Sequence, residues 1–168
     1  MEIKKTPVNY ISNKRMYALL KEYLANPDPD VDLPPELVMC FMRICERYAQ
    51  RFNFARYSYN SEMILDGIEE CLRRVRSFNP EKSENPFAYF TQVIKNAFKR
   101  RINEEQKEQY IKAKSLQQFH LAEQLVNNTY MPEENDVLND FISRYEKRMA
   151  EKKKKEVKPK GLDAIFYD

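Results

Sequence analysis

Apolar residues recur at helical spacing in several separate stretches of this chain. From Asn13, which can cap a helix, Met16, Leu19, Leu20, Tyr23 and Leu24 fall on one side of a helix running to about Ala25. The segment Asn-Pro-Asp-Pro-Asp at 26–30 and the pair Pro34-Pro35 then break the chain. A second helix is predicted over about 35–52, with Leu37, Val38, Phe41, Ile44, Cys45, Tyr48 and Phe52 as a broad stripe. An aromatic connector follows, containing Phe54, Tyr57 and Tyr59. Asn60 or Ser61 can cap a third helix ending near Phe78, with Ile64, Ile68, Cys71, Leu72, Val75 and Phe78 on its apolar side. Gly67 sits inside that helix at a cost of about 1 kcal/mol relative to Ala, and close approach of a neighbouring backbone is one possible reason for it.

Asn85-Pro86 is a strong helix start, a capping Asn followed by Pro in the first turn. The fourth helix is predicted from Pro86 past Arg101, toward Lys114, with Phe87, Phe90, Ile94, Phe98 and Ile102 as its buried side. The pattern weakens over 115–132. A further helix is expected from about Asn135 to Ala150, carrying Val137, Leu138, Phe141, Ile142 and Tyr145. The organisation expected is all-α: a compact multi-helix domain over 1–114, a helical extension over 115–146, a flexible basic linker over 147–160, and a short apolar peptide over 161–168.

Composition sharpens this picture. Only two residues are Gly, and 42% are hydrophobic, which disfavours Gly-rich phosphate loops and tight hairpins. The net charge is +3, but residues 147–160 hold eight Lys or Arg against Glu151 and Glu156, a local +6. The last eight residues carry -2, so residues 1–146 sum to -1 and any contact with DNA must be local. Cys40, Cys45 and Cys71 lie among apolar residues without a C-x-x-C pair, and His120 is the single histidine. Buried free thiols are expected, with no metal site and no cofactor. Free thiols suit a reducing cytoplasm, and no signal peptide or membrane span is visible.

Catalytic sets are missing from the pattern: no histidine pair, no G-x-S-x-G, no P-loop and no H-E-x-x-H. The pairs Glu69-Glu70 and Glu104-Glu105 read as solvated helix faces, so an enzyme is not expected. A nuclease built on clustered carboxylates is the weakest of the rival readings. On the fourth helix, Tyr89, Gln92, Asn96, Lys99 and Asn103 recur every three or four residues, with Val93 and Arg100 beside them. A ring can stack on an unstacked base, amides can bond base edges, and cations can neutralise phosphate. Taken alone, this helix is read more economically as an ordinary solvated side with one Tyr at its border. At the chain's end Leu162, Ile165, Phe166 and Tyr167 cluster after the charged run. They suit either a docking peptide or a segment that folds back on the domain.

The block from Glu62 to Arg100 changes the balance. It reads E-M-I-L-D-G-I-E-E-C-L-R-R-V-R-S-F-N, then P-E-K-S-E-N-P-F-A-Y-F-T-Q-V-I-K-N-A-F-K-R. It resembles, without a gap, the second conserved region of bacterial sigma factors, and most of all the late-promoter sigma factors of T-even-like bacteriophages. Shared features are Arg51–Phe54 (R-F-N-F), Glu62–Glu69, Asn85–Gln92 and the apolar C-terminal tail containing Leu162-Asp163. The resemblance implies a sigma region-2-like fold and a transcription-initiation role with bacterial host RNA polymerase core. It implies polymerase contacts at Glu62, Leu65, Asp66, Ile68 and Leu72, against a coiled coil of the largest subunit. It implies contacts to the -10 element of late promoters at Tyr89, Gln92, Val93, Asn96, Lys99 and Arg100, with Asn103 extending the same side. It also implies that Leu162, Ile165, Phe166 and Tyr167 bind a phage DNA sliding clamp.

Two departures stand out. Leu65 and Ile68 replace polar residues, and Gln92 and Val93 replace the paired tryptophans of housekeeping members, in a chain that has no Trp. Weaker intrinsic melting and dependence on an activator follow from the second. No segment resembles a -35 reader, so a phage coactivator is a possible further partner. A monomer outside the complex, in the cytoplasm of an infected bacterium, completes the expectation. The rival of a different class is a non-sigma adaptor of replication or repair that uses only the clamp-binding tail.

Overall fold

The computed structural model describes residues 12–28, 31–127 and 132–157. Every regular element among them is helical: α1 (Asn13–Ala25), α2 (Pro35–Ala49), α3 (Asn60–Arg74), a single 3-10 turn (Val75–Ser77), α4 (Pro86–Asn127) and α5 (Pro132–Val157). The all-α expectation holds. The chain divides into two compact units, one up to Asn103 and one from Glu104, with the division inside α4.

In the first unit Met16, Leu20, Leu37, Phe41, Cys45, Met63, Cys71, Phe90, Ile94 and Phe98 are fully buried and join four helices in one core. Burying each large apolar side chain contributes about 1.5–3 kcal/mol. Phe41 meets Phe90 with ring centroids 4.5 Å apart, and Phe54 and Tyr48 both meet Phe98 edge-on, at 5.4 and 5.5 Å. Gly67 lies where α3 comes closest to its neighbours. A Cβ there would stand 3.0 Å from Cys45 Sγ and 3.1 Å from Phe98 Cε1. Close approach is therefore the reason for glycine, although the partners are side chains rather than backbone.

Several helix ends differ from the sequence expectation. Ser12, not Asn13, caps α1, its hydroxyl accepting from Arg15 N–H. The Asn13 side chain is directed to another helix instead. Its Oδ1 accepts from Phe87 N–H at 3.2 Å and its Nδ2 donates to Glu84 O at 3.4 Å. Asn85 caps α4 as expected, accepting from Ala88 N–H at 3.0 Å, so two asparagines share the unpaired donors of that N-terminus. Tyr59 rather than Asn60 precedes α3, and the Asn60 amide bolts the connector by donating to Ala49 O and Phe54 O. Helix α2 stops at Ala49, which leaves Phe52 outside the helix and exposed.

In the second unit the latter part of α4 and α5 are joined by the stacked rings of Tyr110 and Tyr145, 4.4 Å between centroids. Tyr110 Oη donates to Glu146 at 2.8 Å, Lys114 pairs with Glu146 at 3.1 Å, and Ala113 and Ile142 are buried. Gln117 donates to Asn139 one turn further along. Helix therefore persists through 115–127, where the apolar pattern weakens. The basic stretch expected as a linker from residue 147 is helical as far as Val157. Lys, Arg and Glu are good helix formers and need no apolar stripe where their side chains face water. Residues 158–168, which include the expected clamp peptide, lie outside the described residues.

Candidate functional site

The polar side of α4 is open to solvent where it was expected to be. Gln92 and Asn96 are exposed, and the Gln92 amide donates to Asn96 Oδ1 at 2.9 Å. Lys99, Arg100 and Asn103 are exposed along the same helix. Tyr89 is half-buried, its ring held edge-on by Phe78 at 5.4 Å and Phe90 at 5.0 Å. A ring fixed at its edges loses little freedom when a face is covered by a ligand. Val93 departs from the expected set. It is only 8% exposed and belongs to the core with Phe90, Ile94 and Ala97, so it cannot offer its side chain to DNA. Conversely, Phe87, expected on the buried side, is 44% exposed.

The outward side of α3 is apolar. Leu65 is 65% exposed and Leu72 40%, with Ile68 half-buried between them and Glu62 exposed one turn before Leu65. The spacing of three and four residues aligns these leucines along the helix. The core side of α3 is instead Met63, Gly67, Glu70 and Cys71, which turns Leu72 away from the position the apolar stripe gave it. Asp66 is engaged within the fold. It accepts two hydrogen bonds from Arg101, at 2.7 and 2.8 Å, and is therefore a brace between α3 and α4 before it is anything else.

Sequence reasoning missed the companion brace. Glu70, expected on a solvated face, is buried, its side chain only 6% exposed. Arg74 donates to Glu70 Oε1, Arg100 lies 3.3 Å from its Oε2, and Arg73 lies 3.6 Å away. The hydrogen bond from Arg74 holds the Glu70 carboxyl below the usual carboxylate range, against the upward push of burial. A signal existed: two acids four residues apart on one helix, and adjacent arginines, Arg100-Arg101, on the next. Arg100 thus keeps one nitrogen on Glu70 while half of its side chain remains exposed.

Four arginines (Arg73, Arg74, Arg100 and Arg101) and Lys99 outnumber the two carboxylates, Asp66 and Glu70, that they surround. Among the described residues no group of three or more His, Cys, Asp and Glu could hold a metal. Cys45 and Cys71 are buried free thiols, and Cys40 is a half-buried one. The hydrogen bond with Cys45, together with burial, pushes the Cys71 thiol far up, which keeps it neutral. No helix among the described residues is long and apolar enough to cross a membrane. No protein-family model matches the chain, and no curated protein matches it either.

Proposed function

We propose that this protein is a sigma-type transcription-initiation factor of a bacteriophage, without catalysis of its own. In this reading it binds host RNA polymerase core through the outward side of α3 and reads the -10 element of late promoters with α4. The supporting observation is the pairing of two unlike surfaces on adjacent helices. One is the exposed stripe of Leu65 and Leu72 with Glu62. The other is the solvent-facing series Gln92, Asn96, Lys99 and Arg100 beside Tyr89. The two braces, Asp66–Arg101 and Glu70–Arg100, tie those helices together. Amides supply base-edge hydrogen bonds, the cations neutralise phosphate, and the Tyr89 ring covers a base freed from the duplex.

A factor reading only this element makes few phosphate contacts, so its intrinsic affinity and salt dependence are both small. The apolar tail, with Leu162, Ile165, Phe166 and Tyr167, then serves as a tether to a sliding clamp on the same DNA. Tethering raises the local concentration of promoter without adding a promoter contact. A coactivator supplying further DNA contacts fits the same logic.

The test is promoter-directed transcription with the purified full chain and bacterial core polymerase on A/T-rich templates. A discrete start at a -10-like site is expected. Replacing Gln92 and Asn96 together by Ala should lower it about tenfold, within the range for losing base-edge contacts, while leaving core binding intact. Leu65→Glu should abolish core binding without disturbing the fold. Absence of any promoter-selective start sinks the proposal. Clamp binding without core binding would instead identify an adaptor of replication or repair.

A further inference from the structure

We infer that the connector between α2 and α3, residues 50–59, is a second contact for single-stranded nucleic acid, with Phe52 stacking on an unpaired base and Arg51 and Arg56 holding phosphates. Phe52 is 74% exposed, the most exposed large apolar side chain among the described residues of this unit. Its ring carries the Arg56 guanidinium at 4.7 Å, and Arg51 lies 4.5 Å from the Tyr48 ring. Among the described residues neither guanidinium has a carboxylate partner, so both remain uncompensated cations. From Arg47 to Ser61 the chain holds three arginines and no acidic residue. Arginine beside an exposed ring is the combination that grips a base and its phosphate together.

The segment is held in shape rather than loose. Phe54 N–H and Ala55 N–H both donate to Arg51 O, at 2.8 and 2.9 Å. The Asn60 amide pins the ends of the turn at Ala49 O and Phe54 O. Phe54 anchors it from below against Tyr48 and Phe98, and Tyr57 stacks on Tyr59 with centroids 5.0 Å apart. Phe52 is the one ring of this aromatic series left largely to solvent. Leaving such a ring exposed forgoes the gain from burying it, and a stack of bases restores that gain. A duplex hides the faces of its bases, so the ring selects a single strand. The uncompensated charge selects a polyanion over an apolar protein surface. Phe54 rests on the buried ring of Phe98, which fixes the connector to α4.

The inference goes beyond the promoter reading and is tested on the full chain alone. The probe is a labelled oligothymidylate of about twelve nucleotides, within the site sizes of stacking platforms, followed by fluorescence anisotropy. Phe52→Ala should weaken binding about tenfold, the effect of losing one stacked base. Arg51→Gln with Arg56→Gln should flatten the slope of log affinity against log salt by about 1.4, two single-strand phosphate contacts. Phe52→Trp should retain affinity. Because the chain has no other Trp, its emission should fall as the strand saturates. Unchanged affinity in Phe52→Ala with unchanged emission in Phe52→Trp overturns the inference. Strand binding that depends on Phe52, together with no promoter-selective start, would leave this contact standing and remove the promoter reading. The opposite pair of results would do the reverse.

Discussion

Residue identity matters most here where α3 and α4 touch. Gly67→Ala would gain about 1 kcal/mol of helix propensity. The added methyl would meet Cys45 Sγ and Phe98 Cε1 at 3.0 and 3.1 Å, and overpacking of a filled core costs about 1–3 kcal/mol. The net expectation is a loss of about 1 kcal/mol, read as a lower urea midpoint at unchanged slope; a gain in stability would show that the neighbours yield freely. Glu70 gives a pH-dependent counterpart. Its native pKa is lowered, chiefly by the hydrogen bond from Arg74. Its stabilising contribution is therefore complete above the ordinary glutamate value of about 4.3 and is lost as the pH falls through the depressed native value. Glu70→Gln should cost about 1–2 kcal/mol near neutrality, less than breaking a fully buried pair because its arginines stay solvated. Urea titrations at neutral and acid pH should show the gap closing in acid; a constant gap would remove ionisation as the cause. Both sites were half legible. The oddity of a mid-helix glycine pointed to a close approach, whereas the spacing of Asp66 and Glu70 against Arg100-Arg101 becomes a signal only once α3 and α4 are known to be neighbours.

At the scale of elements, α4 is positioned by its N-terminus. Pro86 and Asn85 made the helix start readable, since one fixes the backbone and the other caps it locally. The second cap, Asn13 reaching Phe87 N–H, joins residues 74 apart in sequence and could not be read from spacing. Asn13→Ala should lower stability by about 1 kcal/mol, the usual cost of a lost cap. A fall in the thermal midpoint followed by far-UV circular dichroism checks this, and no change would mean that water replaces the amide. The outward stripe of α3 was identified by resemblance, and its exposure follows from the helix turning Met63, Gly67 and Cys71 to the core. Helix length was the least readable property. Apolar periodicity marks the buried part of a helix, and both α4 and α5 extend beyond theirs.

For the molecule as a whole, the two compact units separate the proposed roles. Up to Asn103 lie both candidate surfaces; from Glu104 onward lies the helical pair formed by the rest of α4 with α5, from whose end the chain continues to its apolar tail. A chain ending at Lys160 should support the same basal promoter-directed transcription with core polymerase as the full protein and lose stimulation by a DNA-loaded clamp. Equal stimulation of both in a reconstituted reaction would exclude the tail as the tether.

The amino-acid sequence by itself determined the all-α class, the approximate position of the five α-helices among the described residues, the capped start of α4, and the polar series Gln92, Asn96 and Lys99. All of these follow from short-range rules: helical periodicity, Pro and Asn at helix starts, and the scarcity of glycine. Only the tertiary structure decided that Val93 faces the core, that Phe52 and Phe87 do not, and that Asp66 and Glu70 are committed to Arg101 and Arg100. The physical reason is that a side chain's position around a helix axis fixes its direction but not what lies there. A broad apolar stripe leaves its own edges ambiguous until a neighbouring helix covers one side and leaves the other to water.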